Sequence, residues 1–232
     1  MELAVCRAAA DVIADRIDGI DQLGSESLTR PDTPRPGVVS AAANIATFHK
    51  IYTFDFDAAR RMQDWAATFH LRMRGQFPLV YGHCFAGIAA NEQLDVAAAE
   101  DHFRTALRVA KKSLGSRSYA ARLAGALLGD LLYERGLITE AELLLDESYE
   151  LGSEGGTVDF LLATYGIGSR IKALRGDRGA AAQRLDEGAR IAQAMLLPRL
   201  RARNRERADQ IGSPDETRPT NSSSLGRGSA CH

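Results

Sequence analysis

His83 and Cys84 stand side by side, and His102 follows on the next predicted helix. Such side chains bind zinc, or serve a thiol nucleophile, when they converge. Helical metal pairs need a spacing of three or four, as in His-x-x-x-His. Neighbouring side chains on a helix diverge by about 100°. His83 and Cys84 therefore point apart, and no third ligand accompanies His102. The expectation is no metal and no cofactor, with the histidines satisfied or at the surface and Cys84 a small packed residue. A nucleophilic serine fares no better. Gly-x-Ser-x-Gly is absent, and Ser169 in Gly166-Ile-Gly-Ser-Arg170 falls inside a helix with no strand before it. Acidic side chains in 95–101, 140–154 and 186–187 follow the pattern of helix caps and solvated faces. No Gly-x-x-x-x-Gly-Lys-Ser/Thr loop, kinase Gly-rich loop or His-Arg-Asp run occurs. The chain is read as not an enzyme by itself. The alternative kept beside this is a helical enzyme or metal protein around His83, Cys84 and His102.

Arg199, Arg201, Arg203, Arg205 and Arg207 alternate with other residues. They suggest phosphate contacts, hence a second alternative, a nucleic-acid-contacting regulator. A spacing of two scatters charge around a helix axis instead of forming a stripe. The whole chain is also close to neutral, with 29 basic and 30 acidic residues and a net charge of −1. That excludes a strongly basic body held on nucleic acid by its phosphates.

The elements that would position these residues are helical. Three of the seven prolines (Pro31, Pro34, Pro36) cluster in Gly24–Gly37, read as a linker after an N-terminal helix in residues 1–23. Pro78 and Pro198 suit helix starts, and no proline lies between them. Residues 38–211 are assigned to one helical domain, and the Ser/Gly-rich 212–232 to a disordered tail. Within the domain, Ala58, Ala99, Ala141 and Ala181 recur at spacings of 41, 42 and 40. Each is followed four residues later by Met62, Phe103, Leu145 or Leu185. Twelve residues before each lies another small residue: Ala46, Gly87, Gly129 and Ser169. Small residues at two fixed points let paired helices approach closely. The pattern predicts an all-α, right-handed α-solenoid of about four helical hairpins and a half unit. Expected helices are 2–21, 38–53, 55–73, 78–92, 95–113, 117–135, 139–151, 157–175, 178–195 and 198–210. Asp55 or Asp57, Asp95, Thr139 and Asp177 are the expected N-caps of the second helices.

The first-helix glycine, the second-helix Ala99 with Phe103 and Ala106-Leu107, and the unit length resemble tetratricopeptide-type repeats of the longer MalT-like kind. Val39-Ser-Ala-Ala-Ala-Asn44, Tyr81-Gly-His-Cys-Phe-Ala-Gly87, Glu92-Gln-Leu-Asp95 and Leu197-Pro-Arg-Leu-Arg-Ala-Arg203 resemble the C-terminal helical region of large actinobacterial regulators. These are the LuxR-family ATPase transcriptional regulators and the PknK-type serine/threonine kinases. The resemblance covers about residues 1–207. It implies a sensor or scaffold module in signal transduction that binds a protein partner (ATPase, kinase or DNA-binding modules) or a small inducer.

The expected binding surface is the groove lined by the first helices. Its polar members on the repeat frame are Ser40, Thr47, Lys50, Tyr81, Asn91, Asp130, Tyr133 and Arg170. Three scattered cysteines make no disulfide framework and suggest a reducing cytoplasm. No membrane-spanning or export segment is expected. Apolar faces at the array ends would permit self-association.

Overall fold

A computed structural model describes residues 2–18, 20, 36–72, 76–154 and 156–212, and every regular element among them is helical. The helices are α1 (Glu2–Ile13), α2 (Pro36–Tyr52), α3 (Phe56–Leu71), α4 (Phe77–Glu92), α5 (Val96–Leu114), α6 (Tyr119–Glu134) and α7 (Ile138–Tyr149). Then α8 (Val158–Leu161), a π-helical stretch (Leu162–Ile167) and α9 (Gly168–Leu174) run on as one rod. The chain continues with α10 (Arg178–Ala194) and α11 (Pro198–Gly212). Pro36 opens α2, so the helical domain starts inside the expected linker; Gly24–Arg35 and the tail beyond Gly212 lie outside the described residues. The N-terminal helix ends earlier than expected. Asp15 turns left-handed at φ 57° and the Arg16 amide bonds back to the Asp11 carbonyl at 2.9 Å.

That turn recurs. Phe54, Leu94, Gly136, Gly176 and Leu196 also have φ between 56° and 85°. In each, the next amide reaches the carbonyl five residues back: Asp55 to Lys50, Asp95 to Ala90, Leu137 to Leu132, Asp177 to Lys172, Leu197 to Ala192, at 2.8–2.9 Å. This is the Schellman way of satisfying a helix's last carbonyls. Glycine takes the left-handed position freely, whereas leucine is strained there. Leu94 is 85% exposed and packs on little. Leu94→Gly is therefore expected to stabilise the chain by about 0.5–1 kcal/mol, the relief of strain exceeding glycine's extra unfolded-state entropy. A urea midpoint that falls would contradict the strain.

After the turn, Asp55, Asp95 and Asp177 accept a hydrogen bond from the amides of Ala58, Ala98 and Ala180, capping α3, α5 and α10. Thr139 is not a cap: Leu137 holds that position, Thr139 lies inside α7, and its hydroxyl accepts from Arg175 at 3.0 Å.

Sequential helices pack as antiparallel neighbours: α2 on α3, α4 on α5, α6 on α7, α9 on α10. First helices also touch each other, α2 on α4 and α4 on α6, and α6 meets the π-helical stretch. The close approaches occur where small residues were expected. A Cβ added to Gly87 would fall on the Phe103 ring, and one on Gly129 would sit 2.8 Å from Leu145 Cγ. Ser169 is fully buried, its hydroxyl donating to the Gly166 carbonyl.

The first unit corrects the frame by one residue. Ala46, Ala58 and Met62 are only half-buried, and Trp65 is exposed. The packed face of α3 is instead Ala59, Gln63, Ala66 and His70. Ala59 faces the role of Ala99, Ala141 and Ala181, which are fully buried, and Thr47 takes the place of Gly87. The corrected spacings are 40, 42 and 40. Seeking an apolar residue four places on selected Met62, but the slot holds Gln63, whose amide finds polar partners inside.

Candidate groove and its polar clusters

The interior of the first unit is polar because α2 and α3 bring five hydrogen-bonding side chains face to face. Gln63 Nε2 donates to Asn44 Oδ1 at 3.1 Å and to Thr47 Oγ1 at 2.7 Å. Its Oε1 is thereby turned to His70 Nε2, 3.0 Å away. An amide oxygen only accepts, so His70 carries its proton on Nε2, and Nδ1 accepts from the Ser40 hydroxyl at 2.6 Å. Asn44 Nδ2 donates to the Pro78 carbonyl at 3.0 Å, joining the network to α4. Ser40 and Thr47 are fully buried here. They do not line a groove, which follows from the one-residue shift of the first unit.

Burial lowers the His70 pKa to about 4. The unfolded value is near 6.5, so the folded chain binds fewer protons between these values and loses stability as pH falls from about 6.5 to 4. The fall due to His70 is about 3 kcal/mol. Asp130 acts oppositely, its pKa raised to about 6 by burial and by Glu134. The expected result is that His70→Gln, compared with the parent by urea denaturation across pH 4–7.5, flattens the acid limb. An unchanged limb would remove His70 from the account.

In the histidine–cysteine region two imidazoles converge. His83 Nδ1 lies 3.3 Å from His102 Nδ1, and burial lowers both pKa values. Cys84 is fully buried, which pushes its thiol up and keeps it protonated. Among the described residues no group of three or more His, Cys, Asp or Glu is placed to hold a metal ion. Burial thus leaves Cys84 a packed thiol without thiolate character.

On the side where first helices meet, four rings touch in series. Phe48 contacts Phe85, Phe85 contacts Tyr81, and Tyr81 contacts Phe160, with centroids 5.6–5.8 Å apart. Two concavities adjoin this cluster. One, of about 490 Å³, is walled by Tyr52 and Phe54 near the end of α2, Ile88 and Glu92 of α4, Leu162, and Arg199 and Arg203 of α11. The other, of about 220 Å³, lies between α1, α2 and α4.

The larger concavity is bounded by a charge cluster drawn from both ends of the chain. Arg199 Nε donates to both Asp15 carboxylate oxygens at 2.9 Å. Its guanidinium lies 4.0 Å from the Tyr52 ring centroid, and the Tyr52 hydroxyl donates to Asp159. Arg199 also approaches Asp159 at 3.7 Å. Burial pushes the Asp159 and Tyr52 pKa values up, while the carboxylates hold the Arg199 pKa high. Arg199 was legible in the sequence only as part of the arginine run. Its partners Asp15, Tyr52 and Asp159 carried no signal, because they are far apart in the chain.

The remaining expected residues divide. Asp130 of α6 lies near Arg203 and Arg207 of α11. Arg170 sits over Tyr133, 5.2 Å from the ring centroid. Arg170 and Tyr133 lie close enough to Arg207 of α11 to act on it electrostatically. Tyr81 lines the smaller concavity, Lys50 is half-buried, and Asn91 is exposed. The arginine run is largely occupied: Arg199 as above, Arg203 on Glu206 at 3.2 Å, and Arg207 buried with Nη1 on Gln210 at 2.7 Å. Arg201 and Arg205 are exposed. Among the described residues no helix is long and apolar enough to cross a membrane.

The chain is 48% identical over 207 residues to the serine/threonine-protein kinase PknK of Mycobacterium tuberculosis, and equally to that of Mycobacterium bovis. The matched stretch is 89% of this chain but spans only 18% of the kinase's length, so a relation to PknK-type proteins rests on a small part of them. No protein-family pattern matches the chain, and no solved structure matches it.

Proposed function

We propose that the chain is a non-catalytic regulatory module, a tetratricopeptide-like α-solenoid of PknK-type signalling proteins. It takes a segment of a partner protein, or a small effector, on the concave side formed by its first helices. The observation that carries this reading is the 490 Å³ concavity between α2, α4 and α11, with both charge signs and exposed Phe54 on its walls. Ligand sites of this size combine apolar walls with a few placed polar groups. The recurrence of one turn and one packed face at a 40–42-residue period supports the solenoid. Arg199 and Arg207 are engaged within the fold and Arg203 is paired with Glu206, which argues against a continuous nucleic-acid surface on α11, although Arg201, Arg203 and Arg205 are exposed. The module's partner within such a protein would be its kinase, ATPase or DNA-binding part, in the cytoplasm.

Added in trans to the remaining segment of the mycobacterial kinase, the chain is expected to bind it and change autophosphorylation several-fold. Glu92→Arg with Phe54→Ser, both on the concavity wall, should abolish the effect while leaving the fold intact by circular dichroism. A kinase activity identical with and without the chain, and no binding by calorimetry, would reject the regulatory reading.

A further inference from the structure

His83 of α4 and His102 of α5 turn their Nδ1 atoms toward each other where the two helices meet, 3.3 Å apart. Hydrogen bonds donated by nitrogen are ordinarily shorter, about 2.7–3.2 Å. The separation matches a different geometry. Zinc holds imidazole nitrogens at about 2.0–2.1 Å in a tetrahedron, which sets two of them about 3.3–3.4 Å apart. Both rings line a recess of about 90 Å³ between α3, α4 and α5, roomy enough for an ion and a water. Both are half-buried, so solvent reaches the recess, and exposed Asp64 stands on its wall. The surrounding charge favours a cation. Asp64, Asp95 and Asp101 act on His102, and Asp101 acts on His83, against Arg60 and Arg108. Arg60 is itself paired with Asp95 at 3.2 Å. His70 also lines the recess, but Ser40 and Gln63 engage both its ring nitrogens.

We infer that His83 and His102 bind one zinc-class divalent ion through their two Nδ1 atoms, with water completing the tetrahedron. Imidazole suits zinc, copper and nickel, whereas magnesium and calcium take oxygen ligands. In the free pair one Nδ1–H donates to the other ring. On binding, that ring's proton moves to Nε2, so both Nδ1 lone pairs face the ion. No third side chain among the described residues is placed to ligate it. Two protein ligands with open water positions make an exchangeable site, unlike the closed four-ligand sites that hold small domains together. The ion ties the first and second helices of one hairpin, on residues that the 490 Å³ concavity does not use. The inference goes beyond the regulatory reading and does not depend on it.

The experiment adds zinc chloride to the full chain, labelled with nitrogen-15, at pH 7 and follows the imidazole nitrogens by two-dimensional NMR. The Nδ1 resonances of His83 and His102 are expected to move together and saturate, while those of His70 stay in place. His83→Gln and His102→Gln should each weaken binding at least tenfold, since losing even an outer-shell partner costs about ten- to hundredfold. Zinc should raise the melting temperature of the parent, as a ligand of the folded state does, and leave that of the double variant unchanged. Magnesium should raise neither. The proposal is overturned by an absence of saturable shifts, by movement of only one of the two Nδ1 resonances, or by an equal response to magnesium. Zinc binding of parental strength in the double variant, shown folded by circular dichroism, would also overturn it. The nitrogen shifts of the parent decide the matter even where a variant fails to fold.

Discussion

Gly129→Leu is expected to destabilise the chain by about 3 kcal/mol through overpacking. On α6, a Cβ at this position would sit 2.8 Å from Leu145 Cγ and 3.2 Å from the Ala141 carbonyl oxygen. Leu145 and Ala141 are fully buried. The leucine side chain can shift a little; the α7 backbone cannot move without disturbing its contacts with the next first helix. Even alanine must force this contact, although alanine gains about 1 kcal/mol in helix propensity over glycine. Exposed Gly179 on α10 is the control, since a Cβ there meets only Asp177 Oδ1 at 3.6 Å. Gly179→Ala should be neutral or slightly stabilising. Leu145→Ala introduced into Gly129→Leu should recover part of the loss, as contacting sites are coupled. Urea midpoints decide the matter: an unaltered midpoint for Gly129→Leu would mean that α6 and α7 do not meet at this point.

Arg199→Met carries the second large effect, about 2–4 kcal/mol at pH 7. The Asp15 side chain is 4% exposed and Asp159 18%, while Arg199 is 34% exposed. Removing one member of a buried charge group typically costs 3–5 kcal/mol, because the partners are left uncompensated. Solvent around the partly exposed arginine reduces that figure. The pH dependence is diagnostic. Without the arginine, which lowers it, the Asp159 pKa rises further, so the folded variant binds a proton that the unfolded chain releases. Its deficit relative to the parent therefore shrinks as pH falls and widens as pH rises. Asp15→Asn combined with Arg199→Met should recover part of the loss. A deficit identical at pH 4 and pH 7 would show that packing of the arginine stem, and not charge, holds α1 and α11 together.

Much of the helical layout was legible in local residue types. The absence of proline from 79 to 197 and the recurring small residues located the helices to within a few residues from α2 to α11. Gly136 and Gly176 announced their turns, whereas Phe54, Leu94 and Leu196 adopt the same backbone without a glycine to signal it. The constant interval of four between the capping aspartates and Ala59, Ala99 and Ala181 was a signal for the correct first-unit frame. Apolar matching overrode it, since Gln63 is satisfied only by groups on another helix.

By itself the sequence determined that this chain folds as successive helical pairs and at which residues those pairs come close, because helix periodicity, caps and side-chain size act over a few residues. Tertiary structure decided which polar residues face a groove and which are sealed inside. It alone joined Asp15, Tyr52, Asp159 and Arg199, and left the Thr157 hydroxyl unpaired beside apolar walls. The reason is physical: desolvation and pairing depend on what the rest of the fold brings alongside a group, and those neighbours come from helices as much as 184 residues apart.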